Sequence, residues 1–393
     1  MKKSITLLFI FICSCQIILK AEEIPFEKGD LNAAMKKAIV SKKILFVECY
    51  TTWCGPCKWM AKNVFTDNDV AKFYESNFVN IRLDMEKGEG LDFAKRYEVK
   101  VYPTYVFLDG EGVMIHKACG SKEAKEFIKD GMNALDPKRN LSGMQKIFES
   151  GERSSTFLKD YLTVLSAANM NADKVVNVYI EVSDKKELLT EENFNLLASF
   201  AKPGDNTFAF IMSMKDNYAE VIGKEKINQF IEGNYLDVAS MAGRKEAPDQ
   251  LKNSFGELVQ YKLENQDEIM AHMNWVYSQA SKKHDNLYEN AVKYIDGFKM
   301  DDANELNNAA WSFYESFGND KEKMEKALTW IKKSVDLKKE YASMDTYANI
   351  LYKMGKNEEA KDIAKDAIAL GKENKEETGE TENLLKQING SKK

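Results

Sequence analysis

The amino-acid sequence predicts an α/β domain, a central sheet flanked by helices, followed by an all-α, helical-repeat-like region. Three observations predict it. Between residues 24 and 135, short runs of strand-forming residues alternate with segments of helical spacing, as expected for a sheet covered by helices. Beyond residue 143 helical spacing continues, and no convincing alternating strand interrupts it. Near the end, Ala327, Ile331, Ser334 and Leu337 recur as Ala360, Ala364, Ala367 and Leu370, so a helical pattern repeats.

The elements follow in order. Leu31, Ala34, Met35, Ala38 and Ile39 share one helical face, with Asp30 as N-cap. Ile44 to Cys49 is a short apolar run that predicts a buried strand. Thr51 to Cys57 forms a turn that leads into a helix from Lys58 to Val64, and Asp67 caps a second helix through Phe73 and Tyr74. Phe78, Val79, Ile81 and Leu83, set against Asn80 and Arg82, predict a strand by alternation. A short helix covers Leu91 to Tyr97. Tyr105–Leu108 and Val113–His116 make a hairpin across Asp109-Gly110-Glu111-Gly112. Ser121 is expected to cap a last helix ending at Leu135. The order reads αβαβαββα.

Asp136-Pro137-Lys138-Arg139-Asn140 is a polar breaker run, so a linker is expected at 136–142 and a helical domain at 143–393. Ala348, Leu351 and Gly355 precede the second copy of the C-terminal pattern. The repeat distance is close to the ~34 residues of tetratricopeptide helix pairs. Tetratricopeptide-like geometry is therefore expected near 303–371, with a longer loop at Gly318–Lys321 in the first copy. Leu384, Leu385 and Ile388 suggest a final capping helix. The Trp and Tyr residues of this half stand at helical spacing and are read as core.

Residues 1–21 read as a signal peptide. Lys2 and Lys3 precede an apolar run from Ile5 to Leu19, and Ala21 stands at the expected cleavage point. That run of roughly 15 residues is short for a membrane span, which needs about 20. Lipoprotein processing at Cys15 is the alternative, although apolar Ile17, Ile18 and Leu19 follow it where a polar tether is expected. Export to the periplasm is the expectation, with no transmembrane span in the mature chain. Lys+Arg 56 against Asp+Glu 62 gives a net charge of −6, which argues against nucleic acid as a partner.

After export Cys49, Cys54, Cys57 and Cys119 remain, too few for a disulfide scaffold in a chain this long. Zinc is not expected, because His116, His272 and His284 lack ligand spacing and no second C-x-x-C exists. Cys54 and Cys57 lie directly after a buried strand and open a helix. A helix N-terminus presents unsatisfied N–H groups and a partial positive charge, which lower the pKa of its first cysteine. Cys54 is therefore expected to be an exposed nucleophile and Cys57 the resolving thiol. Pro56 begins the helix where its missing N–H does no harm.

Trp53-Cys54-Gly55-Pro56-Cys57-Lys58 resembles the active site of the thioredoxin superfamily. The segment Tyr97 to Tyr105, with Tyr102-Pro103-Thr104, is similar to its second landmark, a cis-proline facing the disulfide. The resemblance covers Pro25 to Leu135. Phe65-Thr66-Asp67 and the Asp109-Gly110 hairpin look most like exported thioredoxin-like domains related to the reductase arm of membrane electron-transfer proteins.

The resemblance implies a thioredoxin fold and a thiol–disulfide oxidoreductase that needs no cofactor and takes electrons from a thiol donor protein. Its substrates would be disulfides of exported proteins, reduced or isomerised, and the helical domain would recruit a partner. It further implies that Cys54 attacks, Cys57 resolves, Pro103 holds backbone against the site and buried Glu48 shuttles a proton. Trp53, Gly55, Pro56, Tyr102, Thr104 and Gly120 would contact substrate. The lysine that often faces the buried acid in this superfamily corresponds to Asn80. Cys49 is read as an inert buried thiol, and Cys119 as a small filler or a third thiol near the groove. Two other functions fit the same residues: an adaptor whose redox pair is a switch, and a disulfide-forming oxidase.

Overall fold

A computed structural model of the chain describes residues 23–28 and 30–390, so the expected signal peptide with Cys13 and Cys15 lies outside the described residues. The first elements are α1 (Leu31–Ser41), β1 (Ile44–Tyr50), α2 (Gly55–Asn63), α3 (Asn68–Asn77), β2 (Phe78–Asp84) and α4 (Glu89–Arg96). They continue with β3 (Thr104–Leu108), β4 (Met114–Cys119), α5 (Ala124–Leu135) and α6 (Leu141–Glu149). The four strands form one sheet in the order β2-β1-β3-β4. β1 runs parallel to β2 and antiparallel to β3, and β3 pairs antiparallel with β4.

Period-two alternation gives each strand two buried faces. Leu45, Val47, Cys49, Ile81, Val106 and Leu108 face a layer that includes Ala34, Ala38 and Phe93. Phe46, Tyr105, Phe107 and Ala118 face Met60, Phe65, Tyr74 and Phe127. Asp30 caps α1 by accepting the Ala33 N–H at 2.7 Å. Asp67 caps α3 by accepting from Asp69 N at 2.9 Å and Val70 N at 3.1 Å. Asp67→Ala should cost about 1 kcal/mol, the usual size of a lost N-cap; urea unfolding reads it as a lower midpoint with an unchanged slope.

Three sequence expectations change at this level. β4 continues to Cys119 instead of stopping at His116. Lys117 breaks the apolar pattern, yet it is buried, its ammonium donating to the carbonyls of Glu98 at 2.8 Å and Tyr97 at 3.4 Å. Ser121 does not cap α5, which begins after Glu123. Residues 120–123 instead cross the end of α2, where Lys122 N–H meets Met60 Sδ at 3.3 Å. Asn80 faces no solvent, because the segment from Ile24 to Glu27 runs along β2, with a bridge between Phe26 and Asn80.

By contacts the chain divides into two units after Ala201, so the turn at 136–142 lies inside the first. There α6 packs on β4, and Leu141 N–H donates to Nδ1 of buried His116 at 3.3 Å. Burial, with Lys122 adding to it, pushes the His116 pKa down to about 4, which keeps the ring a neutral acceptor.

In the second unit the described elements are all helices. Helices Ala303–Phe317, Lys321–Leu337, Tyr341–Lys353 and Asn357–Glu373 pack as successive neighbours, and Gly379–Gly390 closes the series. Ala327, Ile331, Ser334, Ala360, Ala364 and Ala367 are buried, while Leu337 is exposed. The connections Gly318–Asp320 and Met354–Lys356 are equally short, so the longer loop expected in the first copy is absent. Trp330 fills the centre and donates its indole N–H to Asp296 Oδ1 at 2.8 Å.

Candidate active site

The C-terminal end of β1 delivers the chain into Thr51-Thr52-Trp53 and then into α2, which puts Cys54 at the N-cap. Cys54 and Cys57 are joined as a disulfide. The Cys54 sulfur accepts the Cys57 N–H at 3.1 Å, taking one of the donors that a helix start leaves unsatisfied. When the bond is reduced, the same N–H and the helix dipole favour the thiolate at Cys54. Cys54 is only 2% exposed, like Cys57, so the expected exposed nucleophile is covered in the oxidised pair.

Around this covered disulfide stands an apolar rim. Trp53 is 64% exposed, and Trp59 and Val101 are also exposed. Trp53 lies edge-on to Tyr102, with ring centroids 6.1 Å apart, and its indole N–H donates to Glu86 Oε1 at 2.9 Å. Sequence reasoning missed Glu86, which no motif marks. Gly55, Pro56 and Trp59 line one cavity with Ser121 and Lys122.

The Tyr102–Pro103 peptide is cis. Its carbonyl at Pro103 accepts the N–H of Gly120 at 2.8 Å, and Gly120 has φ +87°, a conformation that glycine adopts without penalty. Thr104 starts β3 and is fully buried; its Oγ1 donates to Val101 O at 2.7 Å and lies 3.3 Å from Cys119 Sγ. Cys119 is half-buried, and burial raises its pKa. Cys49 is fully buried and raised further by the same cause. Neither sulfur has a helix terminus to favour its thiolate.

Glu48 is fully buried on β1, and burial lifts its pKa from 4.5 to about 7 against the pull of Arg82. Arg82 Nε donates to Glu48 Oε2, and Nη2 reaches Oε1 at 3.4 Å. The cation is therefore Arg82, not the residue at position 80. In the parallel register Glu48 stands opposite Arg82 and Asn80 opposite Phe46, so the pairing is one alternation further along β2 than expected. Strand parity allows either residue, and only the register of β1 against β2 selects Arg82. The guanidinium lies over the rings of Tyr50 at 4.9 Å and Phe26 at 5.3 Å. Arg82, which holds Glu48, lines one cavity with Cys57 and Thr51, whose buried Oγ1 has no hydrogen-bond partner.

A second buried acid, Asp130, also acts on Tyr105. Lys122 Nζ donates to Asp130 Oδ2 at 2.6 Å, and burial holds the Asp130 pKa above its ordinary range. No sequence motif marks this pair.

Residues 26–110 match the family model described as thioredoxin-like. The chain is 41% identical to thioredoxin-1 of Drosophila melanogaster over 66 residues, which are 17% of this chain and 57% of that protein. It is 33% identical to the H-type 2 thioredoxin of Nicotiana tabacum over 92 residues, 23% of this chain and 72% of the relative. A solution structure of a candidate disulphide-isomerase from Bacteroides thetaiotaomicron shares 41% identity and covers 30% of this chain and 96% of its own, with a TM-score of 0.28.

Proposed function

This chain belongs to the thioredoxin-like family, and from that premise we propose that it is a thiol–disulfide oxidoreductase of exported proteins. One observation carries the reading: the Cys54 sulfur sits at a helix N-cap and accepts the Cys57 N–H, within a disulfide ringed by exposed apolar side chains. Reduction of a substrate runs in two displacements. The Cys54 thiolate attacks one sulfur of the substrate disulfide, that bond breaks, and the other substrate sulfur leaves as a thiolate that takes a proton. Cys57, its proton passed to Glu48, then attacks the Cys54 sulfur. The second substrate thiol leaves, and the two electrons of the dithiol now reside on the substrate. A thiol donor protein restores the dithiol by the same exchange.

Glu48 suits the proton step because a carboxyl with a pKa near 7 both accepts and returns a proton at neutral pH. Trp53, Gly55, Pro56, Tyr102, Thr104 and Gly120 would shape the substrate groove around Pro103. The lysines and apolar run of residues 2–19 support export to the periplasm. Among the described residues no helix is long and apolar enough to cross a membrane. The stacked C-terminal helices, which support a tetratricopeptide-like reading, would recruit a partner.

The equilibrium potential of the Cys54–Cys57 pair tests the direction. Gly-Pro between the cysteines resembles the reducing members, so a value on the order of −270 mV is expected rather than about −120 mV. Graded thiol/disulfide buffers with alkylation and mass counting read it. A value well above that of glutathione would make the protein an oxidase.

A further inference from the structure

In the second unit, a cavity of about 600 Å³ opens between helices Ala303–Phe317, Tyr341–Lys353 and Gly379–Gly390. Its walls carry Asn307, Trp311, Tyr341, Asp345, Glu377 and Glu380, and no lysine, arginine or histidine. Asp345 is built into place rather than free on a surface. Its Oδ1 accepts from Thr381 Oγ1 at 2.5 Å and its Oδ2 from Asn349 Nδ2 at 3.2 Å, and the Thr381 hydroxyl also meets Tyr341 Oη at 2.8 Å. Thr381 is fully buried, so this chain fixes the direction of the carboxylate. Burial and the charge of Glu380 both raise the Asp345 pKa, and no basic group offsets them. Asn307 Oδ1, on the same wall, is buried with no hydrogen-bond partner. Trp311, stacked on Tyr314 with centroids 4.9 Å apart, adds an aromatic surface.

Negative charge without a counter-charge, set beside aromatic rings, selects a cation. Trp311 and Tyr341 on the same walls favour an organic cation, which aromatic faces attract. A cavity of this size between alternate helices of the series also has room for more than a single small ion. We propose that this cavity binds an arginine or lysine side chain on an extended segment of a partner polypeptide. The inference rests on the reading that the helical part recruits a protein, and it gives that partner its chemistry.

Calorimetric titration of the full chain with a capped, arginine-bearing Ser/Gly peptide tests it, beside the same peptide with citrulline in place of arginine. Citrulline keeps the shape and hydrogen-bonding arm but loses the charge. The arginine peptide should bind at least about tenfold more tightly, and Asp345→Asn with Glu380→Gln should remove that advantage. Raising the ionic strength should weaken binding in parallel. Circular dichroism must show the double variant folded; if it is not, Glu380→Gln alone, at an exposed position, serves the same comparison. Equal binding of both peptides would overturn the cation inference while leaving partner recruitment intact. Binding of neither would overturn the inference and the recruitment role of this surface together. Disulfide reduction by the same variants should be unchanged, since the cavity holds no part of the cysteine site.

Discussion

Serine in place of Cys54 is expected to abolish catalysed reduction of a protein disulfide, leaving only the uncatalysed background. Thiol–disulfide exchange needs a thiolate, and a hydroxyl at the same N-cap is neither ionised at neutral pH nor able to form the mixed disulfide. The other thiols offer no substitute. Burial raises the pKa values of Cys49 and Cys119, which keeps both protonated, and neither stands at a helix start. Serine in place of Cys57 should do the reverse: Cys54 still attacks, nothing resolves the product, and a covalent enzyme–substrate adduct accumulates. Insulin precipitation under dithiothreitol reads the first variant. Non-reducing electrophoresis with mass analysis reads the second, and dithiothreitol should release the adduct. Turnover retained by Cys54→Ser would move the chemistry to Cys119, which lies beside the backbone of Gly120 and Pro103.

The cysteine pair was legible because its signal is local: a strand, a turn and a helix start lie within a dozen residues, and each has its own sequence mark. Pro103 was legible only through the resemblance, since a single X-Pro bond carries no mark of its isomer. Glu48 could be read as buried because it interrupts an apolar strand. Its partner was misplaced because pairing between parallel strands depends on register, which no single strand encodes. Arg82 and Asn80 both alternate against the same apolar residues, and only the alignment of β1 with β2 sets Arg82 opposite the acid. Lys117, Glu86 and the Lys122–Asp130 pair were illegible for a related reason. A charged residue reads as solvent-facing until the tertiary fold brings a carbonyl, an indole N–H or an opposite charge to it. The helical half was legible as helices because periodicity is local. The lengths of its turns were not, and the equal connections at Gly318–Asp320 and Met354–Lys356 show that helix ends follow packing as much as composition.

Glu48 should make the oxidised protein less stable as pH rises from about 4.5 to about 8, and Glu48→Gln should remove that loss. The folded carboxyl has its pKa raised to about 7 from the ordinary 4.5. Below about 4.5 it is protonated in both folded and unfolded chains, so the stabilising effect of burying a neutral group is fully present. Between the two values the unfolded chain ionises first and gains hydration that the buried side chain lacks. Above about 7 both forms are ionised, and the folded state carries the whole cost of a buried carboxylate, about 3 kcal/mol for a shift of this size. Glutamine keeps the shape and never ionises. Wild type and variant should therefore match near pH 4, with the variant more stable by about 3 kcal/mol near pH 8. The opposing effect is an Arg82 left without its carboxylate, but this guanidinium is part-exposed and lies over aromatic rings, so it is not stranded. Desolvation thus wins over the lost ion pair. Arg82→Met supplies the converse, because removing the cation raises the Glu48 pKa further and carries the loss of stability to higher pH. Urea unfolding of oxidised protein at pH 4, 6 and 8 distinguishes the three. Parallel stability curves for wild type and Glu48→Gln would mean that Arg82 fully compensates the burial and that the Glu48 pKa stays at the ordinary 4.5. A carboxylate with that ordinary pKa would be too weak a base to hold the proton of Cys57 near neutral pH, so the same measurement also decides whether Glu48 can serve the second displacement.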